Sequence, residues 1–175
     1  MFYIVGLGNP GEEYKETRHN TGRIVLEAFR GVADKQLKNK KITLIAPDTF
    51  MNKSGDALRG LIKTKKTAEQ LVVIHDDLDI PFGSYKISFN KSSGGHRGVE
   101  SVIKAVKTKA FVRIRVGIQP KKRPSGEAAV EKLILGKFTP DQMSTLKKLS
   151  KRICNALICL ILEGRDKAMS QQGSF

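Results

Sequence analysis

Two short apolar runs in this chain each end abruptly in a polar segment. Residues 3–6 lead into Leu-Gly-Asn-Pro-Gly and then to His19, and residues 71–75 lead into three aspartates within four positions. Apolar runs of this length are typical of buried strands. Ligands of open α/β sheets bind beyond the carboxyl ends of the strands. The two polar segments therefore predict one functional site at one edge of a sheet.

Strand-like and helix-like segments alternate along the whole chain without repeats. We predict strands at residues 3–6, 42–46, 71–75, 85–89 and 111–118, and helices at residues 21–29, 54–62, 98–106 and about 140–163. The last helix is marked by a capping box of Thr139 and Gln142, by Pro140 in its first turn and by Gly164 after its end. This order predicts an α/β fold, a single domain over residues 1–175 with a mixed, mostly parallel twisted sheet flanked by helices.

Residues 119–126 form a stretch rich in Lys, Pro, Ser and Gly. Such a composition is typical of a mobile loop. We therefore expect this segment to act as a lid over the site.

The chain is strongly basic. It has 32 Lys and Arg residues against 17 Asp and Glu residues, a formal charge of +15 that is spread over the sequence rather than held in one tail. This excess favours a polyanionic partner, most simply a nucleic acid. A basic surface that only keeps the protein in solution is the alternative.

The location of the protein is predicted from what the sequence lacks. No apolar run approaches the roughly 18 residues of a membrane span, and the N-terminus enters a strand without a charged leader. Cys154 and Cys159 lie five residues apart on the predicted last helix, where they would point in different directions. We expect both thiols to be buried and reduced, and the protein to be cytoplasmic.

The glycines of residues 6–11 formally match the dinucleotide-binding fingerprint. That fingerprint requires a helix immediately after the glycines. Here a charged segment without an apolar stripe follows, and Pro10 disfavours helical geometry at Asn9. We therefore predict a tight turn that displays the Asn9 amide, and no nucleotide cofactor.

A histidine and an aspartate from different strand ends can form a general base and its orienting partner. His19 and Asp76 are the candidates. An imidazole pKa of about 6.5 suits a base at neutral pH. Taken alone, His19 could equally be a capping or surface histidine.

Several segments together resemble the bacterial peptidyl-tRNA hydrolases. They are VGLGNPGxxYxxTRHN at residues 5–20, PDTFMNKSG at 47–55, HDDLDIPFG at 75–83, SGGHRG at 93–98, RIRVGI at 113–118 and LGKF at 135–138. The motifs occur in the family's order and cover most of the chain. The resemblance implies an enzyme that cleaves the ester between a peptide, or an N-blocked amino acid, and the terminal ribose of tRNA, and so recycles tRNA from stalled translation.

The resemblance also implies catalytic roles. His19 would activate water, Asp76 would hydrogen-bond the far nitrogen of its ring, and no covalent intermediate would form. The Asn9 amide oxygen would accept from the substrate's peptide N–H and so distinguish a blocked from a free α-amino group. We expect no metal and no other cofactor.

Further residues would bind the substrate, peptidyl-tRNA. Asn52 would hold the substrate or the water, although a helix N-cap is an equally natural role for it. Tyr14, Phe50 and Met51 would form walls of the cleft and could stack on the terminal adenine.

The segment Gly94-Gly95-His96-Arg97-Gly98 would open a helix, and its free backbone N–H groups would suit a phosphate or a carbonyl oxygen. A glycine-rich turn without a ligand is the alternative. Lys86 and Arg115 would contact phosphates of the acceptor stem.

Three features depart from the family pattern. Arg97 stands where the family usually has asparagine, and it cannot accept a hydrogen bond. Ser88 stands where the family often has a basic residue. The stretch between the first helix and Ile42 is short, so a strand pair common in the family is expected to be trimmed.

Two other classes remain open at this point. The first is a non-catalytic RNA-binding protein on the same scaffold. The second is a metal-dependent phosphohydrolase that uses Asp76, Asp77 and Asp79, since Mg²⁺ prefers carboxylates. Our main prediction is a monomeric esterase without an obligate protein partner.

Overall fold

The computed structural model describes residues 1–174 and contains one five-stranded sheet. Its strands are β1 (Phe2–Gly6), β2 (Ile42–Ile45), β3 (Leu71–Pro81), β4 (Tyr85–Phe89) and β5 (Val112–Gln119), in the spatial order β2-β1-β3-β5-β4. All neighbouring strands run parallel except β4, which pairs antiparallel with β5. The predicted α/β fold with a mixed, mostly parallel sheet is confirmed.

Six α-helices surround the sheet. They are α1 (Thr21–Gln36), α2 (Lys65–Glu69), α3 (Arg97–Val106), α4 (Glu127–Leu135), α5 (Pro140–Glu163) and α6 (Arg165–Ser170). Three 3₁₀ helices, Glu12–Tyr14, Arg18–Asn20 and Met51–Leu58, lie between them. Within residues 1–174, no helix has the length and apolar character needed to cross a bilayer.

Each face of the sheet is covered by its own apolar layer. Successive strand residues point to opposite faces, so Val72 and Ile74 pack with α1 and α5, whereas Leu71 and Val73 pack with α3 and the Met51–Leu58 helix. The largest buried side chains of the two layers, Phe29 and Phe111, have at most 1% of their surface exposed. The site lies where these layers end, at the carboxyl ends of β1 and β3.

The helix α1 begins in direct contact with the sheet. A Cβ atom at Gly22 would lie 2.3 Å from the Ile74 carbonyl oxygen and 2.6 Å from the Leu7 backbone. Only glycine permits this approach of helix and strand. The residues just before Gly22, the turn Arg18–Asn20 that contains His19, are thereby held against the end of β3.

Several element boundaries differ from the sequence prediction. The helix predicted to end at residue 29 continues to Gln36, with Ala33 still buried. The strand predicted to end at His75 continues to Pro81, with a register irregularity after Asp77. The helix predicted at residues 54–62 is instead the 3₁₀ helix Met51–Leu58, because Gly55 packs against the Ser101 backbone and Leu61 is exposed to solvent.

The sequence pattern does not predict α4. Its apolar residues Val130, Leu133 and Ile134 lie at helical spacing, but the helix is only nine residues long and has no side-chain cap to mark where it begins. It follows directly on the segment 119–126, whose first residue, Gln119, belongs to β5.

Candidate active site

A cleft of about 580 Å³ opens at the carboxyl ends of β1 and β3. It brings together most of the predicted site residues: Asn9, Tyr14, His19, Phe50, Met51, Asn52, Asp76, Gly94, His96 and Arg97. Lys86 and Arg115 do not line it. As expected from the sequence, the polar segments that follow the apolar runs of β1 and β3 lie together in one site.

His19 and Asp76 form the centre of the cleft. His19 Nδ1 lies 3.0 Å from each carboxylate oxygen of Asp76. Both residues are buried. The turn Arg18–Asn20 supplies the histidine and β3 supplies the aspartate, so the contact joins residues far apart in sequence.

His96 is the second partner of Asp76. Its Nδ1 accepts hydrogen bonds from the backbone N–H groups of Gly98 and Val99, at 3.2 and 3.3 Å. The proton of this ring is therefore on Nε2, which donates to Asp76 Oδ1 at 3.0 Å. The sequence suggests only a substrate-binding role for His96, whereas here it orients the carboxylate.

These bonds define the tautomer of His19. Asp76 accepts from His96 Nε2 and from His19 Nδ1, so His19 carries its proton on Nδ1. The lone pair of the neutral ring is then on Nε2, which has no hydrogen-bond partner among the described residues. A base with this geometry can take a proton from water in the cleft.

The electrostatics favour an ionised Asp76 beside a basic His19. Burial alone would raise the pKa of Asp76, but the charges and hydrogen bonds of the two histidines hold it below its usual value. Burial alone would lower the pKa of His19, but the charge and hydrogen bond of Asp76 raise it, while the charge of Arg97 lowers it. The net result is a raised pKa for His19.

A third histidine, His75, contacts the backbone of Asp76 and the ring of His96. His75 is buried, its Nδ1 lies 2.6 Å from the Asp76 backbone oxygen, and its ring is T-shaped to His96 with centroids 4.7 Å apart. Burial, and then the charges of His96 and Arg113, lower the pKa of His75 well below its usual value, although Asp76 acts in the opposite direction. The ring is therefore neutral and donates from Nδ1. The sequence does not reveal this role, because His75 follows the apolar run of β3 like a core residue.

Asn20 fixes the position of Asn9. The Asn20 side chain accepts from the Asn9 backbone N–H at 2.8 Å and donates to the Asn9 carbonyl oxygen at 2.9 Å. The Asn9 side-chain oxygen in turn accepts from the Met51 backbone N–H at 2.8 Å. One of the two lone pairs of this oxygen is therefore used inside the protein. The Asn9 amide nitrogen has no hydrogen-bond partner among the described residues, and the role of the oxygen toward the substrate stays a prediction.

Aromatic and apolar side chains form two walls. Tyr14 and Phe50 meet edge to face with ring centroids 6.3 Å apart, and Phe50 is 58% exposed. The opposite wall comes from α4, through Val130, Ile134 and Leu135. Sequence reasoning missed these α4 residues together with the helix itself.

Asn52 does not act as a helix N-cap. Phe50 holds that position in the Met51–Leu58 helix, and no side chain caps it. Asn52 is exposed and lines the cleft. The capping alternative is therefore wrong, and its amide is available to a ligand.

The glycine-rich segment before α3 offers fewer free N–H groups than its sequence suggests. The N–H groups of Gly98 and Val99 donate to His96, and that of Gly95 donates to Ser93 Oγ at 3.3 Å. Side chains of the protein accept from these three amides, so they are not free to bind an anion. Arg97 instead pairs with Glu127 on α4 at 2.9 Å.

The three aspartates of β3 do not converge. Asp77 pairs with Arg115 at 2.7 Å and Asp79 pairs with Arg123 at 2.7 Å, whereas Asp76 contacts the histidines. The carboxylate cluster that a metal-dependent phosphohydrolase requires is therefore not formed by these residues.

His19, Asp76 and His96 have ligand atoms within 4.8 Å of one another. The nitrogens that face Asp76 both carry protons, and the other nitrogen of His96 is held by backbone donors. A metal ion needs deprotonated ligand nitrogens. With these hydrogen bonds in place, the two nitrogens beside Asp76 are not free to bind an ion.

A basic sheet surface lies on the face of β4 and β5 that α1 and α5 do not cover. We define it as Lys86, Arg113 and Arg115. Lys86 is directly opposite Arg115 across the two strands, and Ser88 is opposite Arg113. Like charges in such a pair are destabilising. Burial lowers the pKa of the Arg113 guanidinium, the charge of Arg115 lowers it further, and the charge of Asp77 opposes this. Arg113 is buried and Arg115 pairs with Asp77, whereas Lys86 is exposed.

Comparisons with known proteins agree with the motifs and the fold. The family model described as "Peptidyl-tRNA hydrolase" matches residues 3–174. A protein of Thermodesulfovibrio yellowstonii named peptidyl-tRNA hydrolase is 39% identical, with 97% of each chain covered, and one of Aquifex aeolicus with the same name is 38% identical, with 95% of this chain and 93% of the relative covered. The crystal structure of peptidyl-tRNA hydrolase from Acinetobacter baumannii superimposes with a TM-score of 0.86 at 27% identity, over 100% of this chain and 95% of that one. This chain therefore belongs to the peptidyl-tRNA hydrolase family.

Proposed function

We propose that this protein hydrolyses the ester bond of peptidyl-tRNA with His19 as the general base and Asp76 as the group that orients and stabilises it. Membership of the family supports the reaction. The observation that supports the mechanism is the buried contact of His19 Nδ1 with Asp76, which leaves Nε2 as the basic nitrogen.

The reaction proceeds by direct attack of water. His19 Nε2 takes a proton as the water oxygen bonds to the ester carbonyl carbon, and the Asp76 carboxylate stabilises the imidazolium. The bond between that carbon and the ribose oxygen then breaks, and the imidazolium returns its proton to the ribose oxygen. The products are a peptide with a free carboxylate and a tRNA with a free terminal hydroxyl.

The Asn9 amide nitrogen accounts for selection of blocked substrates. Because the Asn9 oxygen already accepts from the Met51 backbone N–H, the amide nitrogen is the group of this side chain that donates into the cleft in our proposal. A peptide or N-acyl group presents a carbonyl oxygen beside the α-nitrogen, which such a donor can bind. A free α-ammonium presents only donors and a positive charge. The exposed Asn52 amide holds the substrate or the water beside the ester carbonyl.

The tRNA end of the substrate uses the aromatic wall and the basic sheet surface. The exposed Phe50 ring, with Tyr14 at its edge, offers a stacking surface for the terminal adenine. Lys86 and Arg115 contact phosphates of the acceptor stem without reading bases. In this proposal the protein acts as a monomer, in the cytoplasm where translation supplies the substrate.

The loop 119–126 and α4 form a lid over the cleft. The loop is fastened by the ion pair of Arg123 with Asp79, whose side chains are 54% and 56% exposed. Exposed pairs are worth at most about 1 kcal/mol, so the fastening opens readily. Replacing residues 120–126 by a short Gly/Ser linker should lower turnover, and unchanged turnover would remove the lid role.

The decisive experiment measures release of N-acetyl-amino acid from acetyl-aminoacyl-tRNA in the presence of EDTA. The matched substrate is the unblocked aminoacyl-tRNA, and the matched variant is His19→Ala. We expect chelator-resistant hydrolysis of the blocked substrate only, reduced about 10²–10⁴-fold in the variant. Absence of hydrolysis by a folded protein that still binds tRNA would instead identify a non-catalytic RNA-binding protein. Activity lost with EDTA would identify metal-dependent chemistry.

A further inference from the structure

The Arg18 side chain makes several contacts with the segment on the opposite side of the cleft. Its Nη1 donates to the carbonyl oxygens of Leu133, Gly136 and Lys137 at 3.4, 3.0 and 3.1 Å, and its Nη2 donates to Gln142 Oε1 at 3.0 Å. Its guanidinium carbon also lies 5.3 Å from the centre of the Phe138 ring. One side chain thus binds the C-terminal end of α4, the connection that follows it and the first turn of α5.

These contacts satisfy a specific need of α4. The last carbonyl groups of a helix have no partner within the helix and carry partial negative charge. The carbonyls of Leu133 and Gly136 each accept from one backbone N–H, and the Arg18 side chain adds a second donor and a positive charge to both. Burial lowers the pKa of the Arg18 guanidinium, an unfavourable effect that these hydrogen bonds offset.

The other end of α4 is held much more weakly. Gly126 precedes the helix with φ of 85°, and no side chain caps it. The Glu127 ion pair with Arg97 joins side chains that are 84% and 71% exposed. The helix also buries no residue of its own. α4 is therefore fastened firmly at its C-terminal end and loosely at its N-terminal end.

Arg18 is also the residue immediately before His19. It begins the 3₁₀ turn Arg18–Asn20, which places the His19 ring on Asp76. The same residue therefore fixes the turn of the base and the end of the helix that forms the opposite wall.

We infer that Arg18 is a positioning residue, which holds the apolar wall of α4 at a fixed distance from His19 and serves as the point about which α4 moves when substrate enters. The inference rests on His19 being the base of the proposed reaction. Lysine cannot replace Arg18, because a single ammonium cannot reach four acceptors and lie over Phe138 with a planar group.

The site should survive loss of this side chain. Two backbone hydrogen bonds, from Arg18 N–H to Gly136 and from Phe138 N–H to Glu16, at 3.1 and 3.0 Å, also join the two segments. An Arg18 variant should therefore fold and retain the contact of His19 with Asp76. Its defect should be confined to α4 and to the rate.

The test compares Arg18→Lys and Arg18→Gln with Arg30→Gln, which removes the same charge from an exposed ion pair on α1. Steady-state hydrolysis of acetyl-aminoacyl-tRNA gives kcat and KM, and amide hydrogen exchange gives the local opening of residues 127–135. We expect both Arg18 variants to lose kcat by about 10- to 100-fold, since small misplacements cost this much. KM should change less, and exchange should accelerate in α4 but not in β3. Arg30→Gln should match the wild type.

Normal kcat in a folded Arg18→Gln protein would overturn the inference. So would a lower kcat with unchanged exchange in α4, because Arg18 would then act on His19 alone. A wild-type protein without activity would contradict the proposed function instead, and the exchange data would still report whether Arg18 fastens α4.

Discussion

The pKa of His19 depends on two side chains of opposite charge. Burial lowers this pKa, Asp76 raises it by charge and hydrogen bonding, and Arg97 lowers it by charge. A general base works when deprotonated, so kcat/KM should fall as the pH drops through the pKa of His19 in the free enzyme. Because that pKa is raised, the acid limb of the profile should lie above the ordinary histidine value of about 6.5.

Asp76→Asn should move this acid limb to lower pH. The substitution removes the charge that raises the pKa of His19, and the asparagine can accept through one oxygen only, whereas two rings now donate to the carboxylate. The plateau rate should fall by about 10²–10⁴-fold, because the base loses its orientation and its counter-charge. The measurement is kcat/KM against pH, and a limb that stays in place or moves upward would contradict the assignment of Asp76.

Arg97→Asn should move the same limb in the opposite direction. Removing the positive charge removes one contribution that lowers the pKa of His19, so the limb should rise in pH. The plateau should change little, because Arg97 contacts Glu127 rather than the base. The control is Lys104→Asn on the same helix, which also removes one charge from an exposed pair. If the acid limb moved to lower pH, or moved equally in the Lys104→Asn control, Arg97 would not act on the pKa of His19.

At this scale the sequence predicts residues better than it predicts the atoms they use. His19 and Asp76 are found because each follows the apolar run of a strand, although β3 itself continues beyond Asp76 to Pro81. The Asn9 oxygen is taken by the Met51 backbone, which is 42 positions away in the sequence. No local pattern reveals such a bond, so the sequence names the residue but not the contact that fixes the orientation of its amide.

Among the elements, α1 determines how closely the base approaches the sheet. Gly22 lies against the backbone of β3, whereas a Cβ added at Gly31 of the same helix would have no neighbouring atom within 4 Å. Substituting each glycine in turn therefore distinguishes two effects within α1. Gly22 reports the close packing of helix on strand, and Gly31 reports helix propensity alone.

Gly22→Ala should destabilise the protein by about 1–3 kcal/mol, because the added methyl group forces the helix away from Ile74. Specific activity should also fall, since His19 moves with the start of α1. Gly31→Ala should stabilise by about 0.5–1 kcal/mol, through helix propensity, and leave activity unchanged. Urea unfolding with parallel activity assays checks both. Equal effects of the two substitutions would rule out the close approach as the cause.

Elements are predictable from sequence to the extent that they bury apolar side chains. The capping box and apolar stripe of α5 are visible in the sequence, and that helix begins at Pro140 and ends at Glu163. α4 has no fully buried residue and only Ile134 packs against the core, so it escapes the same reasoning although it forms one wall of the cleft.

At the scale of the whole molecule, the fold follows from the alternation of strands and helices, but the distribution of charge does not. The formal charge of +15 is a property of the sequence that does not indicate which face uses it. In the structure, the alternation of side chains along β4 shows which face of the sheet is basic. Tyr85 and Ile87 pack beneath α5, whereas Lys86 points to the opposite face, beside Arg115.

The basic sheet surface should dominate the salt dependence of the reaction. Each phosphate contact releases counterions and adds about 0.7–0.9 to the slope of log(kcat/KM) against log[salt], when kcat/KM reports capture of the tRNA. Lys86→Ala should therefore reduce the slope by about 1. Lys148→Ala removes the same charge from an exposed position on α5, on the opposite face of the sheet, and should leave the slope unchanged. If Lys148→Ala reduced the slope and Lys86→Ala did not, the tRNA would bind across α5. The adjacent like charges of Lys86 and Arg115 would then have no role in binding the tRNA.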